Sequence, residues 1–396
     1  MKKLFLTLSL GVLCLCALAQ RYPFIRPMPI EYPGGEDSRA AKFYEKLDRL
    51  ANYGEGSVSI VQIGGSHIQA GSWSGRMRNR LLSLRYGLDG GRGLVFPFAA
   101  AATNNPQSYR SAVTGEWTWV RCLENGDGIG VSGLSATTAD TTATVIIDLD
   151  KEKMDPWEPS FTFRSVDLLG SGSMEPLLVV DRDTLYADSY DAKRGIRHYE
   201  LPHYASWFKV IFSGPGNSFT LRGFYLDRPG CGLTYNGLGV NGASTISWAG
   251  CTAFESEMQL LKPDLVIFCI GINDIQGTEF HRERFMQNHR ELIKRIRRVN
   301  PDCALLFVSP TDSYYRRRYP NALCPEAVRA CRDLAVEYKA PYWDLFEVMG
   351  GLGSIEKWNE ATLASNDLVH FNRSGYYLIG DMMFKALRTD WAEHRK

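Results

Sequence analysis

From Ser57 to Ile63 the chain reads Ser-Val-Ser-Ile-Val-Gln-Ile and stops at Gly64-Gly65; Ser72 to Leu84 then carries Trp73, Met77, Leu81 and Leu84 at helical spacing. A β-branched run closed by glycines predicts a strand, and apolar residues every three or four positions predict one face of a helix. The second half repeats the alternation. It predicts strands over Leu265 to Ile270, Ala304 to Val308 and Tyr342 to Phe346, with helices from about Glu283 to Arg298, Pro325 to Tyr338 and Tyr376 to Trp391. Short apolar strands alternating with longer amphipathic helices make an α/β protein whose parallel sheet is covered on both faces.

Between about Asn105 and Gly230 the texture changes. Short alternating stretches at Ala143 to Leu149, Ser160 to Phe163, Leu177 to Val180, Trp207 to Phe212 and Phe219 to Tyr225 are separated by Gly, Asp, Ser and Pro. Strands of this length and spacing predict a β-sandwich. The organisation expected is a discontinuous α/β domain, residues 20–105 and 231–396, interrupted by a β-sandwich insert over 106–230. A total of 396 residues suits two average domains.

The first 19 residues predict an address rather than a structural element. Lys2 and Lys3 precede an apolar run from Leu4 to Leu18 that ends in Ala17-Leu18-Ala19, a small-x-small pattern suited to cleavage before Gln20. The run is about 15 residues, short of the roughly 20 that span hydrocarbon. Leu precedes both Cys14 and Cys16, which argues against a lipoprotein site. The mature chain is expected to be exported and to lack a membrane span.

Lys plus Arg number 45 and Asp plus Glu 44, so a net charge of +1 removes the electrostatic argument for nucleic acid or an anionic membrane. Hydrophobic residues at 44% and charged residues at 22% suit a globular core rather than disorder. Nine cysteines less Cys14 and Cys16 leave seven, so at least one thiol has no partner within the chain. Cys324 and Cys331 share a predicted helix, where a rise of about 1.5 Å per residue puts them roughly 10 Å apart, too far for a disulfide. No C-x-x-C occurs, so neither a zinc knuckle nor a thioredoxin-type site has support.

Three separated motifs carry the candidate chemistry. Gly64-Gly65-Ser66-His67 puts a hydroxyl between strand and helix, at the carboxyl edge of the sheet where crevices form. Gly271-Ile272-Asn273-Asp274 follows the strand Leu-Val-Ile-Phe-Cys-Ile and puts an amide donor at the same edge. In Asp367-Leu368-Val369-His370, residues three apart on a helical turn share a face, so Asp367 can orient His370 and leave Nε2 as a base. Each has a plainer explanation taken singly: an ordinary Gly-Gly-Ser loop, a cap on the following helix, a surface turn. Together they supply nucleophile, oxyanion donor and acid-base pair.

In this combination the sequence resembles the SGNH (GDSL-like) hydrolase superfamily. Its first block, G-D-S-[LH], is similar to Gly64 to His67; its third, G-x-N-D, matches Gly271 to Asp274; its fifth, D-x-x-H, matches Asp367 to His370. The second block, a glycine after a strand, best fits Gly242. The resemblance covers about 56 to 104 and 231 to 385. It implies a three-layer, flavodoxin-like α/β/α fold, with Ser66 as nucleophile, His370 as base and Asp367 as its orienting partner. It also implies an oxyanion hole made by the Ser66 N–H, the Gly242 N–H and the Asn273 side chain, with no metal and no cofactor. One position departs: the family's first-block Asp, which helps fix the turn, is Gly65 here. A narrower resemblance, carried by Gly64 to Arg80, Gly90 to Pro97 and the β insert, is to two-domain bacterial peptidoglycan O-acetylesterases. The function implied is a bacterial carbohydrate esterase, periplasmic or extracellular, removing O-acetyl or other short acyl groups from a polysaccharide or small ester. The alternatives are a catalytically impaired glycan-binding protein, motivated by Gly65, and an O-acyltransferase to a sugar. Trp117, Trp119, Trp157 and Trp207 are the aromatic candidates for glycan contact on the insert.

Competing motifs fall away on context. Gly237 to Gly242 is a literal G-x-G-x-x-G with Asp264 beyond it, but a ribose-binding acid ends a strand and Asp264 precedes one. No G-x-S-x-G occurs, which removes the α/β-hydrolase fold. His198 with His203 and His281 with His289 lack metal-ligand spacing, and His67 is expected to be structural.

Overall fold

The computed structural model describes residues 21–150 and 161–395; the expected export signal and Trp157 lie outside the described residues. Five parallel strands run in the spatial order Gly232–Gly239, Ser57–Gly64, Leu265–Cys269, Ala304–Val308, Tyr342–Trp343. The order reverses beside Ser57–Gly64, the arrangement that opens a crevice outside the strands' carboxyl ends. The strands are buried on both faces over most of their length, the central ones between two layers of helices. Val58 and Ile60 pack in one core with Leu47 of helix Ser38–Tyr53, Met77 of Ser72–Leu82 and Ile379 of Arg373–His394. Val61 and Ile63 face the other way, into a core shared with Met258 of Phe254–Leu261, Ile293 of Arg282–Val299 and Leu334 of Cys324–Tyr338. The result is the three-layer α/β/α fold.

The second core continues without a break into two antiparallel sheets. One holds Ser189–Asp191, Ile196–Ala205, Phe163–Gly172, Phe219–Asp227, Leu134–Thr138 and Thr118–Arg121; the other holds Arg110–Thr114, Thr142–Asp148, Trp207–Ser213, Leu177–Val180 and Asp183–Leu185. Phe208 bridges them, its ring centroid 5.6 Å from Phe163 and 5.0 Å from Phe224. The short strand Gly93–Val95, upstream of residue 106, also pairs with Phe219–Asp227.

Several expectations need correction. Tyr342–Trp343 ends two residues in, because the Asp344 side chain accepts the Glu347 N–H and caps a helix over Leu345–Met349. Phe163, expected to end a strand, begins a ten-residue one that runs to Gly172. The Asp367–His370 segment is not a helical turn: Leu368 is left-handed at φ +56°, and its N–H donates to the Ser365 carbonyl.

Candidate active site

The strand Ser57–Gly64 delivers Ser66 to the carboxyl edge of the sheet at the start of a short helix, Ser66–Gln69. The Trp248 indole donates to the Gly64 carbonyl at 3.0 Å and pins the strand's last residue. Ser66 is half-buried. Its Oγ lies 2.7 Å from His370 Nε2, and His370 Nδ1 lies 2.7 Å from Asp367 Oδ2. With the ring proton on Nδ1, the imidazole donates to the carboxylate and presents a lone pair to the serine hydroxyl. The Asp367 Oδ1 accepts the His370 and Val369 backbone N–H groups at 2.9 and 3.0 Å. Partial burial pushes the Asp367 carboxyl up, but these hydrogen bonds more than offset it and hold the group below its ordinary value.

Gly242 lies in the loop after Gly232–Gly239, at φ +83°, and a Cβ there would stand 2.7 Å from Leu123 Cδ2 of the insert. Among the described residues, neither the Gly242 N–H nor the Ser66 N–H donates to a protein acceptor. Asn273 lies in the 3-10 turn Ile272–Ile275, and its amide donates to the Ala243 carbonyl at 2.8 Å, leaving a second amide hydrogen. Asp274 does not cap the following helix. Its carboxylate accepts the Thr245 N–H at 3.1 Å and the Thr245 hydroxyl at 2.6 Å, so the Asn-Asp pair clamps the loop that carries Gly242.

A Cβ at Gly65 would lie 3.0 Å from Asn273 Nδ2 and 3.1 Å from the Ala243 carbonyl. The space beside this position is thus occupied by the Asn273–Ala243 bond. His67 is buried, its Nδ1 lies 2.8 Å from the Tyr376 hydroxyl, and its ring centroid is 5.2 Å from that of His370. Burial, with repulsion from His370, lowers the His67 ring to about 3, so it is neutral at ordinary pH. Sequence reasoning did not find Trp248, Tyr376, Leu123 or Gln69, whose side chain accepts the Asn241 N–H at 2.6 Å. No motif signals any of them, because each acts through a contact made only on folding.

The remaining candidates sit elsewhere. Asp264 accepts from Ser59 N–H and Lys46 at the opposite end of the sheet, and Gly237 and Gly239 are inside a strand, so no dinucleotide loop forms. His289 is buried and bonds the Phe285 carbonyl, while His198 and His203 lie beside Asp167 and Asp181. Among the described residues no group of three or more His, Cys, Asp or Glu side chains is placed to hold a metal, and no helix is long and apolar enough to cross a membrane. Trp119 is exposed; Trp117 and Trp207 are half-buried.

Residues 214–378 match the sequence model of the GDSL-like lipase/acylhydrolase family. Over that stretch the chain is similar to GDSL-like acylhydrolases. That match takes in Gly242, Asn273, Asp367 and His370 and begins downstream of Ser66. A solved structure described as a peptidoglycan O-acetylesterase in action aligns over 90% of this chain and 98% of its own with a TM-score of 0.74 at 20% identity, so the two chains share a fold throughout. A GDSL-like lipase from Bacteroides thetaiotaomicron is 17% identical over 39% of this chain and 76% of its own, with a TM-score of 0.29. Comparison with the curated proteins gives no match.

Proposed function

We propose that the acylhydrolase domain, residues 20–105 and 231–396, is an exported serine esterase that removes O-acetyl or other short acyl groups from a polysaccharide, peptidoglycan among the candidates. The observation that carries this reading is the unbroken line Ser66 Oγ, His370 Nε2, His370 Nδ1, Asp367 Oδ2, with 2.7 Å at each hydrogen bond. His370 Nε2 takes the hydroxyl proton as Ser66 Oγ attacks the ester carbonyl. The resulting oxyanion meets the Ser66 N–H, the Gly242 N–H and the remaining Asn273 amide hydrogen. The imidazolium returns its proton to the departing sugar oxygen, leaving an acyl-serine. Water, deprotonated by His370, then releases the carboxylic acid and restores the hydroxyl. Asp367 stabilises the imidazolium throughout, and its lowered carboxyl keeps it ionised.

The Gly65 departure fits a working site, because the Asn273 amide bonded to Ala243 fills the space that a longer side chain would need. Export rests on the segment Lys2 to Ala19, and a glycan-binding role for the insert, residues 106–230, on its strand pattern and exposed Trp119. The test is Ser66→Ala against p-nitrophenyl acetate, joined to acetate release from O-acetylated peptidoglycan and from acetylated xylan. Turnover should fall to background in the variant; undiminished turnover overturns the reading.

A further inference from the structure

After Ala304–Val308 the chain forms a two-stranded hairpin, Tyr314–Tyr315 paired with Tyr319–Pro320, whose tip is Arg316-Arg317-Arg318. It is built against the acid-base loop: the Tyr314 N–H donates to the Leu368 carbonyl at 2.8 Å, two residues before His370. Its base is held by Asn321, whose N–H bonds the Ser313 carbonyl at 2.9 Å and whose side chain bonds the Ile275 carbonyl at 2.8 Å.

The three arginines are consecutive and, among the described residues, unpaired, whereas many others of the chain are held by carboxylates. Arg76 and Arg80 pair with Asp381, Arg290 with Glu283 and Glu337, and Arg332 with Glu31. Arg316, Arg317 and Arg318 are exposed and reach no carboxylate among the described residues; Arg316 only lies over the Tyr315 ring. The nearby Glu356 is engaged by the Tyr314 hydroxyl. The Arg318 N–H bonds the Tyr315 carbonyl across a turn in which Arg316 and Arg317 both have positive φ, +51° and +58°. Glycine or asparagine takes such positions readily and arginine does not, so turn formation does not explain the arginines. Tyr319, 65% exposed, lies beside them.

Resting on the esterase reading, we propose that the Arg316–Arg318 tip is a binding subsite for the carboxylates of an acidic acetylated glycan and steers that polymer to Ser66. Guanidinium forks match carboxylates two bonds at a time, and unpaired like charges at a crevice raise the local concentration of an anion. The whole chain carries only +1, so the attraction is local to this rim rather than the general field that nucleic acid or a membrane would need.

The test is the full-length variant Arg316→Gln/Arg317→Gln/Arg318→Gln, with the triple Lys variant as a charge-keeping control. Turnover of p-nitrophenyl acetate should be unchanged. On acetylated pectin (uronate carboxylates) or O-acetylated peptidoglycan (peptide carboxylates), kcat/KM should fall about tenfold at low salt and about twofold at high salt, because exposed charges are screened. The Lys variant should keep most of the effect, and neutral acetylated xylan should show no change. A loss on either acidic polymer alone supports the subsite and identifies its carboxylate source. Equal loss on xylan, or no loss on both acidic polymers, overturns it. If the wild-type protein turns over no ester, the esterase reading fails separately. Affinity electrophoresis in the same acidic polymers then decides the subsite: retardation of wild type but not of the Gln variant supports it, and retardation by DNA or anionic vesicles alone refutes it.

Discussion

The parallel sheet and the sandwich are made of similarly short strands, yet they place polar groups differently. A strand of the parallel sheet is covered on both faces, so its reactive neighbours emerge only where it ends: Ser66 after Ser57–Gly64, Gly242 after Gly232–Gly239, Asn273 after Leu265–Cys269. A sandwich strand buries one face and exposes the other, and its polar side chains meet each other across the surface, as His198 meets Asp167. Edge loops therefore gather unlike groups from distant sequence, whereas exposed faces pair near neighbours. Between the two regions, alongside the continuous core and the pairing of Gly93–Val95 with Phe219–Asp227, sits one buried carboxylate. Glu257, on a helix of the α/β layer, is fully buried; it accepts from Arg222 of the sandwich and from the Val131 N–H at 3.0 Å.

The comparison breaks most visibly at the edge loops. His370→Ala removes the base while leaving strands and helices intact, so kcat for an activated ester should drop about 10⁴- to 10⁶-fold with no change in melting temperature. A matching fall in melting temperature would show that the loop supports the fold rather than the chemistry. Next in size is the joint between regions. Glu257→Gln leaves the Arg222 guanidinium buried without its counter-charge, which should cost about 3–5 kcal/mol in denaturant unfolding. Unaltered stability would mean that the shared core and the strand pairing of Gly93–Val95, not this ion pair, hold the two regions together. Close behind, Asn273→Ala should lower kcat about 100- to 1000-fold and leave KM nearly unchanged. A KM effect instead would place the amide on the ground-state substrate.

The sequence carried the strands better than the approaches between elements. Ala304–Val308 is read to the residue, because a short apolar run with no glycine, bounded by Pro301-Asp302 and Ser309-Pro310, leaves one interpretation. The edge strand Gly232–Gly239 is hidden by its glycines, and a reason for them is tertiary: a Cβ on Gly239 would stand 2.2 Å from the backbone nitrogen of Gln69. The N-terminal helix Ser38–Tyr53 had a signal that went unread, with Asp37 as its cap, Phe43, Leu47 and Leu50 on one face and Gly54 at its end. In the site, D-x-x-H gave the right spacing and the wrong conformation, since the left-handed Leu368 is held by partners at Ser365 and Tyr314 that no local pattern names. The Asn-Asp pair was legible as residues and not as a clamp, because Ala243 and Thr245 lie some 30 residues away in sequence.

The smallest expected effect tests that clamp through its charge. Burial raises the Asp274 carboxyl to about 6, although the Thr245 hydroxyl and N–H pull it back. In an unfolded chain the same group titrates near 4. Between these values the folded protein binds the proton more than the unfolded chain does, so stability falls as pH rises from about 4 to about 6 and the contribution is flat outside that window. Asp274→Asn cannot titrate and can still accept from Thr245 through its carbonyl oxygen. The difference in unfolding free energy between variant and wild type should therefore change across that window, with the variant gaining relative to wild type as pH increases. Chemical denaturation at pH 4.5, 5.5 and 7 measures it, and a pH-independent difference would mean that the carboxylate is hydrated enough to titrate as it does in the unfolded chain. The Thr245 hydrogen bonds would then hold the loop carrying Gly242 without a pH-dependent contribution from Asp274.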